Sequence, residues 1–160
     1  MNMTVKYYYS YNEIINNDRK GSWWEHIILG PFVHGSTWLF ANYIRFSPNQ
    51  ITFTSFIFGI LSAYSFLQGT GRYLIIGALL YEISFILDCT DGRIARLKNL
   101  CSRFGAYLDF MSDTTKYFFI IFCLIYGQYL LTNDSSLFLY GFIFIFLDLT
   151  SMTQKIYHKL

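Results

Sequence analysis

No charged residue occurs between Arg45 and Arg72, and the apolar part of that interval, Ile51 to Leu67, is about long enough to cross the hydrocarbon core of a bilayer. Such a segment leaves few folds open. Lipid offers the backbone no hydrogen-bond partners, so a crossing segment outside a closed barrel must be a helix that satisfies its own N–H and C=O groups. Three later stretches have the same character: Tyr73 to Leu87, Ala106 to Leu131 and Ser136 to Leu149, the first span being Gln50 to Leu67. Charged residues make up only 14% of the chain, against roughly a quarter in soluble domains, and 21% of the residues are aromatic. A soluble surface and disorder are both disfavoured. The fold class expected is therefore all-α, a polytopic transmembrane helix bundle of about four spans over residues 50–149, within a single membrane domain covering 1–160.

Breakers punctuate the spans. Ser47, Pro48 and Asn49 precede the first, where proline's missing N–H is no loss; Gly69, Thr70 and Gly71 separate the first from the second; Thr132 to Ser135 form the turn before the fourth. Residues 1–22 are polar and tyrosine-rich without an apolar core, so no cleavable signal peptide is expected. Residues 23–45 hold Trp23, Trp24 and Trp38, interrupted by Gly30, Pro31 and Gly35, and fit either a fifth span or a helix lying in the interface. Counting basic residues by side separates the two. With four spans, Lys6, Arg19, Lys20, Arg45, Arg93, Arg96, Lys98, Arg103, Lys155 and Lys159 fall on one side and Arg72 alone on the other. A fifth crossing would reduce that bias to seven against four. The stronger asymmetry favours an N-terminal interfacial amphipathic helix, with both termini on the cytoplasmic face. A net charge of +2 with no basic stripe gives no reason to expect a nucleic-acid partner. Cys89, Cys101 and Cys123 have no CxxC spacing and read as packing thiols; the three histidines have no metal-ligand spacing.

Ionisable groups within spans are costly and need a reason. Asp88, Asp91, Gly92 and Ala95 fall at i, i+3, i+4 and i+7, one face of a helical extension of the second span, with Arg96 at its edge. Gly105, Asp109 and Asp113 fall at i, i+4 and i+8 on the next span, and the connection of about ten residues lets the two faces oppose. Four carboxylates meeting across a helix pair repel one another unless cations intervene. An all-oxygen donor set selects a hard ion, Mg²⁺ or Mn²⁺ before zinc, with Ca²⁺ also open. Gly92, Ala95 and Gly105 leave a gap, and the Arg96 guanidinium matches phosphate geometry. Lys116, three residues after Asp113, is placed either to pair with the carboxylates or to snorkel to the interface. Carboxylates, metals, an arginine and a gap describe metal-assisted phosphoryl transfer.

The run from Asp88 to Asp113, DCTDGRIARLKNLCSRFGAYLDFMSD, matches D-x2-D-G-x2-A-R-x8-G-x3-D-x3-D at all eight fixed positions. In this it resembles the CDP-alcohol phosphotransferase family, also called the CDP-alcohol phosphatidyltransferases. By average residue usage the coincidence is on the order of 10⁻¹⁰ per starting point. Ser47-Pro48-Asn49-Gln50-Ile51-Thr52 is similar to the Pro-Asn-x-x-Thr entry to the family's first span, so the likeness covers about residues 31 to 131. The resemblance implies transfer of a phosphatidyl or phosphoalcohol group from a CDP-linked donor to an alcohol acceptor in phospholipid biosynthesis, with release of CMP. It implies a site for two ions of Mg²⁺ or Mn²⁺ held by Asp88, Asp91, Asp109 and Asp113. Asp113 would also be the general base. Gly92, Ala95, Arg96 and Gly105, with Asn49 and Thr52, would bind the nucleotide and its phosphates. A homodimer in membrane lipid is implied too. Family members usually have six spans, against the four read here. Two rival readings stand beside the enzyme: a catalytically incomplete homologue acting as a partner subunit, and a membrane protein that binds or conducts cations, against which an arginine at the ion site argues.

Overall fold

The computed structural model describes residues 8–16, 29–44 and 46–157. These residues form six α-helices: α1 (Tyr11–Asn16), α2 (Gly30–Asn42), α3 (Pro48–Leu67), α4 (Gly71–Leu97), α5 (Arg103–Thr132) and α6 (Ser136–Tyr157). Helix α3 is the middle of the bundle and packs along both α4 and α5; α2 lies on α4, α6 on α5, and α1 on α2.

Each boundary has a local cause. The Ser47 side chain accepts from the Gln50 N–H while the Gln50 side chain accepts from the Ser47 N–H, a capping box that starts α3 with Pro48 in its first turn. Helix α3 stops at Gly69, whose φ of +69° suits glycine. A side chain there would also run into the Gly127 carbonyl of α5. Helix α4 ends at Asn99 in the left-handed region (φ 55°), where Leu100 N–H donates to Ala95 O at 2.7 Å. Ser102 then caps α5 by accepting from the Gly105 N–H at 2.9 Å. At the far end Asn133 (φ 54°) closes α5, its N–H donating to Tyr129 O at 2.8 Å.

Helices α3, α4 and α5 are each long and apolar enough to cross a membrane. The fourth expected span, Ser136 to Leu149, lies within α6, which has 22 residues and an apolar stretch from Ser136 to Thr150. The helix expected over 23–45 is described from Gly30 to Asn42, and Trp23 and Trp24 lie outside the described residues. Its buried face includes Val33, His34 and Thr37, and Ser36 Oγ meets Thr90 Oγ1 of α4 at 2.6 Å.

Polarity runs opposite to that of a soluble domain. Many large apolar side chains face outward, among them Phe118, Phe142 and Leu147, and only 17% of the apolar stretch of α5 is buried within the protein. That surface suits lipid. Polar side chains instead join the helices inside. Ser55 Oγ donates to Ser84 O at 2.9 Å, Ser84 Oγ to Ser55 O at 2.8 Å, and Ser62 Oγ to Gly77 O at 2.7 Å, so α3 and α4 approach closely on small residues. Two small apolar clusters flank these contacts, Ile51, Leu87 and Ile94 toward one end and Ala63, Phe66 and Ile120 toward the other. The molecule is an integral membrane helix bundle.

Candidate active site

Helix α4 has 27 residues and α5 has 30, about 40 and 45 Å at 1.5 Å per residue, against a hydrocarbon core of about 30 Å. The surplus lies where the aspartates are: the end of α4 and the start of α5, joined by Lys98 to Ser102. This reversal turns the two acidic faces toward each other and toward the start of α3.

One oxygen each from Asp88, Asp91 and Asp109 lie within 4.8 Å of one another. Asp91 is 4% exposed and accepts a hydrogen bond from the Thr52 hydroxyl, which comes from α3 and is equally buried. Asp109 Oδ1 is buried and meets no hydrogen-bond donor. A carboxylate oxygen shut off from water without a donor is stabilised by a compensating positive charge. Three convergent carboxylates with no nitrogen or sulfur among them suit a hard divalent cation. The residues present therefore fit the metal that the motif implies.

Asp113 has a different setting. Lys116, one turn further along α5 and almost buried, brings Nζ to 2.9 Å from Asp113 Oδ1 and 2.8 Å from Asp88 Oδ1. It also donates to Ser55 Oγ at 2.8 Å. Of the two alternatives for Lys116, pairing with the carboxylates is the one found. Asp113, expected as a fourth ligand, thus sits beside an ammonium group, and its side chain is 44% exposed.

Beside the three carboxylates lies a cavity of about 280 Å³. Its walls bring together all six residues assigned from the motif to nucleotide and phosphate binding: Asn49 and Thr52 from α3, Gly92, Ala95 and Arg96 from α4, and Gly105 from α5, together with Asp91 and Asp109. A Cβ on Gly105 would stand 3.0 Å from Ser102 Oγ and 3.3 Å from Asn49 Oδ1, and one on Gly92 would stand 3.3 Å from Arg96 Nη1. Both glycines keep space open where side chains converge. The structure adds Leu100, Cys101 and Ser102 from the α4–α5 connection as further wall residues. Their sequence signal is weak, because they occupy unconstrained positions within the motif. Cys101, expected to pack, is instead exposed at this wall.

Thr52 has a contact besides the cavity: its hydroxyl donates to Asp91. Periodicity within α4 or α5 contains no signal for this contact, since the donor lies on α3.

The sequence profile of the CDP-alcohol phosphatidyltransferase family matches residues 45–156. The chain is 38% identical over 69 residues to the "Bifunctional IPC transferase and DIPP synthase" of Thermococcus kodakarensis, covering 43% of this chain and 15% of that protein. It is 34% identical over 68 residues to the archaetidylinositol phosphate synthase of Pyrococcus horikoshii, covering 42% and 34%. It is 33% identical over 101 residues to the human CDP-diacylglycerol–inositol 3-phosphatidyltransferase, covering 61% and 42%. These matches thus span less than half the length of each relative.

Proposed function

The chain belongs to the CDP-alcohol phosphatidyltransferase family, and on that premise we propose that it transfers a phosphatidyl or phosphoalcohol group from a CDP-linked donor to an alcohol acceptor, releasing CMP. One observation carries this reading: Asn49, Thr52, Asp91, Gly92, Ala95, Arg96, Gly105 and Asp109, drawn from three helices, line one cavity. That cavity has a cationic fork, glycine-cleared space and carboxylates at one edge, the equipment a pyrophosphate needs.

In this proposal Asp88, Asp91 and Asp109 hold Mg²⁺ or Mn²⁺, which when bound offsets the charge of the pyrophosphate and polarises its P–O bonds. Arg96 grips a phosphate, and Gly92, Ala95 and Gly105 admit the nucleotide against the α4–α5 connection. The acceptor hydroxyl attacks the phosphorus that carries the donor's lipid or alcohol group. A new P–O bond forms, the bond to the CMP phosphate breaks, and the hydroxyl proton passes to Asp113, whose half-open position suits a group that must exchange protons with water. The basic asymmetry of a four-span reading supports a site and both termini on the cytoplasmic face. The homodimer implied by the resemblance belongs to the same proposal, and light scattering of the purified protein checks it.

The test is CMP release by the purified protein in detergent with Mg²⁺ or Mn²⁺. CDP-diacylglycerol and CDP-choline are offered against pooled alcohols, with Asp113→Asn alongside. Release that the substitution abolishes supports the proposal. Absence of release, or release indifferent to Asp113→Asn, overturns it.

A further inference from the structure

Lys116 occupies a seat built on two helices. Its Nζ donates to Ser55 Oγ at 2.8 Å and to Asp88 Oδ1 at 2.8 Å, and forms an ion pair with Asp113 Oδ1 at 2.9 Å. The side chain is 8% exposed, so little of this charge is left to water. Its stem crosses α3 at Gly59, where a Cβ would stand 2.8 Å from both Cγ and Cδ. Ser55 and Gly59 are one turn apart on α3, so a single face of that helix supplies both the passage for the stem and an acceptor for the head.

We infer that the Lys116 ammonium is a built-in cation of the acidic cluster, filling its Asp88–Asp113 side, so that the site takes one divalent cation, at Asp88, Asp91 and Asp109, where the motif alone suggests two. The inference rests on the proposed metal-dependent reading of that cluster. The geometry separates two halves. Asp88, Asp91 and Asp109 converge, with Lys116 on the Asp88 oxygen, and Asp109 Oδ1 is buried without a donor. Asp113 instead contacts a cation that the chain itself provides. A second divalent ion there would compete with the ammonium for the same two carboxylates and stand within a few ångströms of it, where like charges repel strongly in a water-poor setting. Asp88 belongs to both halves and links them.

The experiment counts ions and does not depend on turnover. Full-length protein in detergent is titrated with Mn²⁺, and bound ion per chain is read by electron paramagnetic resonance and by equilibrium dialysis with elemental analysis. The expected count is one for the unaltered chain and two for Lys116→Met, which keeps an unbranched stem over Gly59 and removes the charge. Asp113→Asn is expected to leave the count at one, as for a residue outside the ion's own shell. Two ions in the unaltered chain, one ion in folded Lys116→Met, or loss of the ion in Asp113→Asn would each overturn the inference. If Lys116→Met does not fold, the unaltered count and Asp113→Asn still decide. Absence of any bound Mn²⁺, with CMP release nonetheless detected, removes the metal and this inference while leaving the transfer reaction standing.

Discussion

Thr52→Val isolates the contribution of one hydroxyl to the ion site. Thr52 and Asp91 are each 4% exposed, so the hydrogen bond between them is largely shielded from water. Valine keeps the β-branched shape, and the substitution removes little besides the donor. A hydrogen bond to a charged group contributes about 1.5–3 kcal/mol. In the ion-free protein Asp91 can recover part of this by rotating toward another partner. With a divalent cation bound, its orientation is fixed and the loss falls on affinity. Partners that orient a metal ligand are typically worth 10- to 100-fold in metal binding, the same size as that loss. Thr52→Val should therefore raise the Mn²⁺ dissociation constant about 10- to 100-fold and leave the ion-free melting temperature nearly unchanged. Thr52→Ser, which retains the hydroxyl, should stay near the unaltered value. Isothermal titration and thermal unfolding of the same detergent preparations measure both quantities. Unaltered Mn²⁺ affinity in folded Thr52→Val would refute the argument, because it would mean that Asp91 does not hold the ion or that Thr52 does not orient it.

Further outcomes follow from other contacts. Gly127→Ala drives a Cβ against the Phe66 and Leu67 carbonyls, the latter at 2.7 Å, so a loss near the upper end of the usual 1–3 kcal/mol for overpacking should appear as several degrees in Tm. Gly35→Ala, inside α2 with nothing within 4 Å, should raise Tm by a few degrees through the helix preference of alanine, about 0.5–1 kcal/mol. Arg96→Lys keeps the charge but loses the fork, and should weaken binding of a CDP ligand roughly tenfold, about 1.4 kcal/mol, by titration. In the α5–α6 turn Asp134 Oδ1 accepts from the Ser136 N–H at 2.9 Å, and this bonding holds its carboxyl below the usual aspartate range. A depressed folded-state pKa contributes stability above the unfolded value that is lost as pH falls through the folded one. Protection from hydrogen exchange at the start of α6, taken relative to the intrinsic rate, should therefore fall below about pH 4 in the unaltered chain and not in Asp134→Ala. Single cysteines at positions 70 and 100, in a chain otherwise lacking cysteine, should react with an impermeant reagent from opposite faces of the membrane; labelling from one face would refute the topology.

What the sequence made legible depended on how local the determinant was. The start of α3 could be read from Ser47-Pro48, and the structure adds the reciprocal bond with Gln50. The stop at Gly69 was marked by a glycine run, and the close approach to Gly127 gives that run a tertiary reason. Helix periodicity correctly put Asp88, Asp91, Gly92 and Ala95 on one face and Gly105 and Asp109 on another, because side-chain spacing along a helix is fixed by its pitch.

Contacts between helices were out of reach for a physical reason. A pattern along one helix defines its faces, but the rotation and register of its neighbour are set by packing of small residues such as Ser55, Ser62, Gly77 and Ser84, and no spacing rule links residue 52 to 91 or 59 to 116. Lys116 shows where the boundary falls. Its place three residues beyond Asp113 made pairing with that carboxylate plausible from sequence, since i and i+3 share a face. What distinguishes pairing from snorkelling is the seat on α3, a serine to accept and a glycine to let the stem pass, and these lie some 60 residues away in the chain. A buried ammonium is tolerated only where such a seat exists, because leaving water without compensating oxygens costs more than moving the head to the interface. The same rule runs in reverse for Asp109, whose buried oxygen lacks any donor. One half of the cluster meets a cation of the chain itself, and in the proposed reading the other half takes its cation from outside.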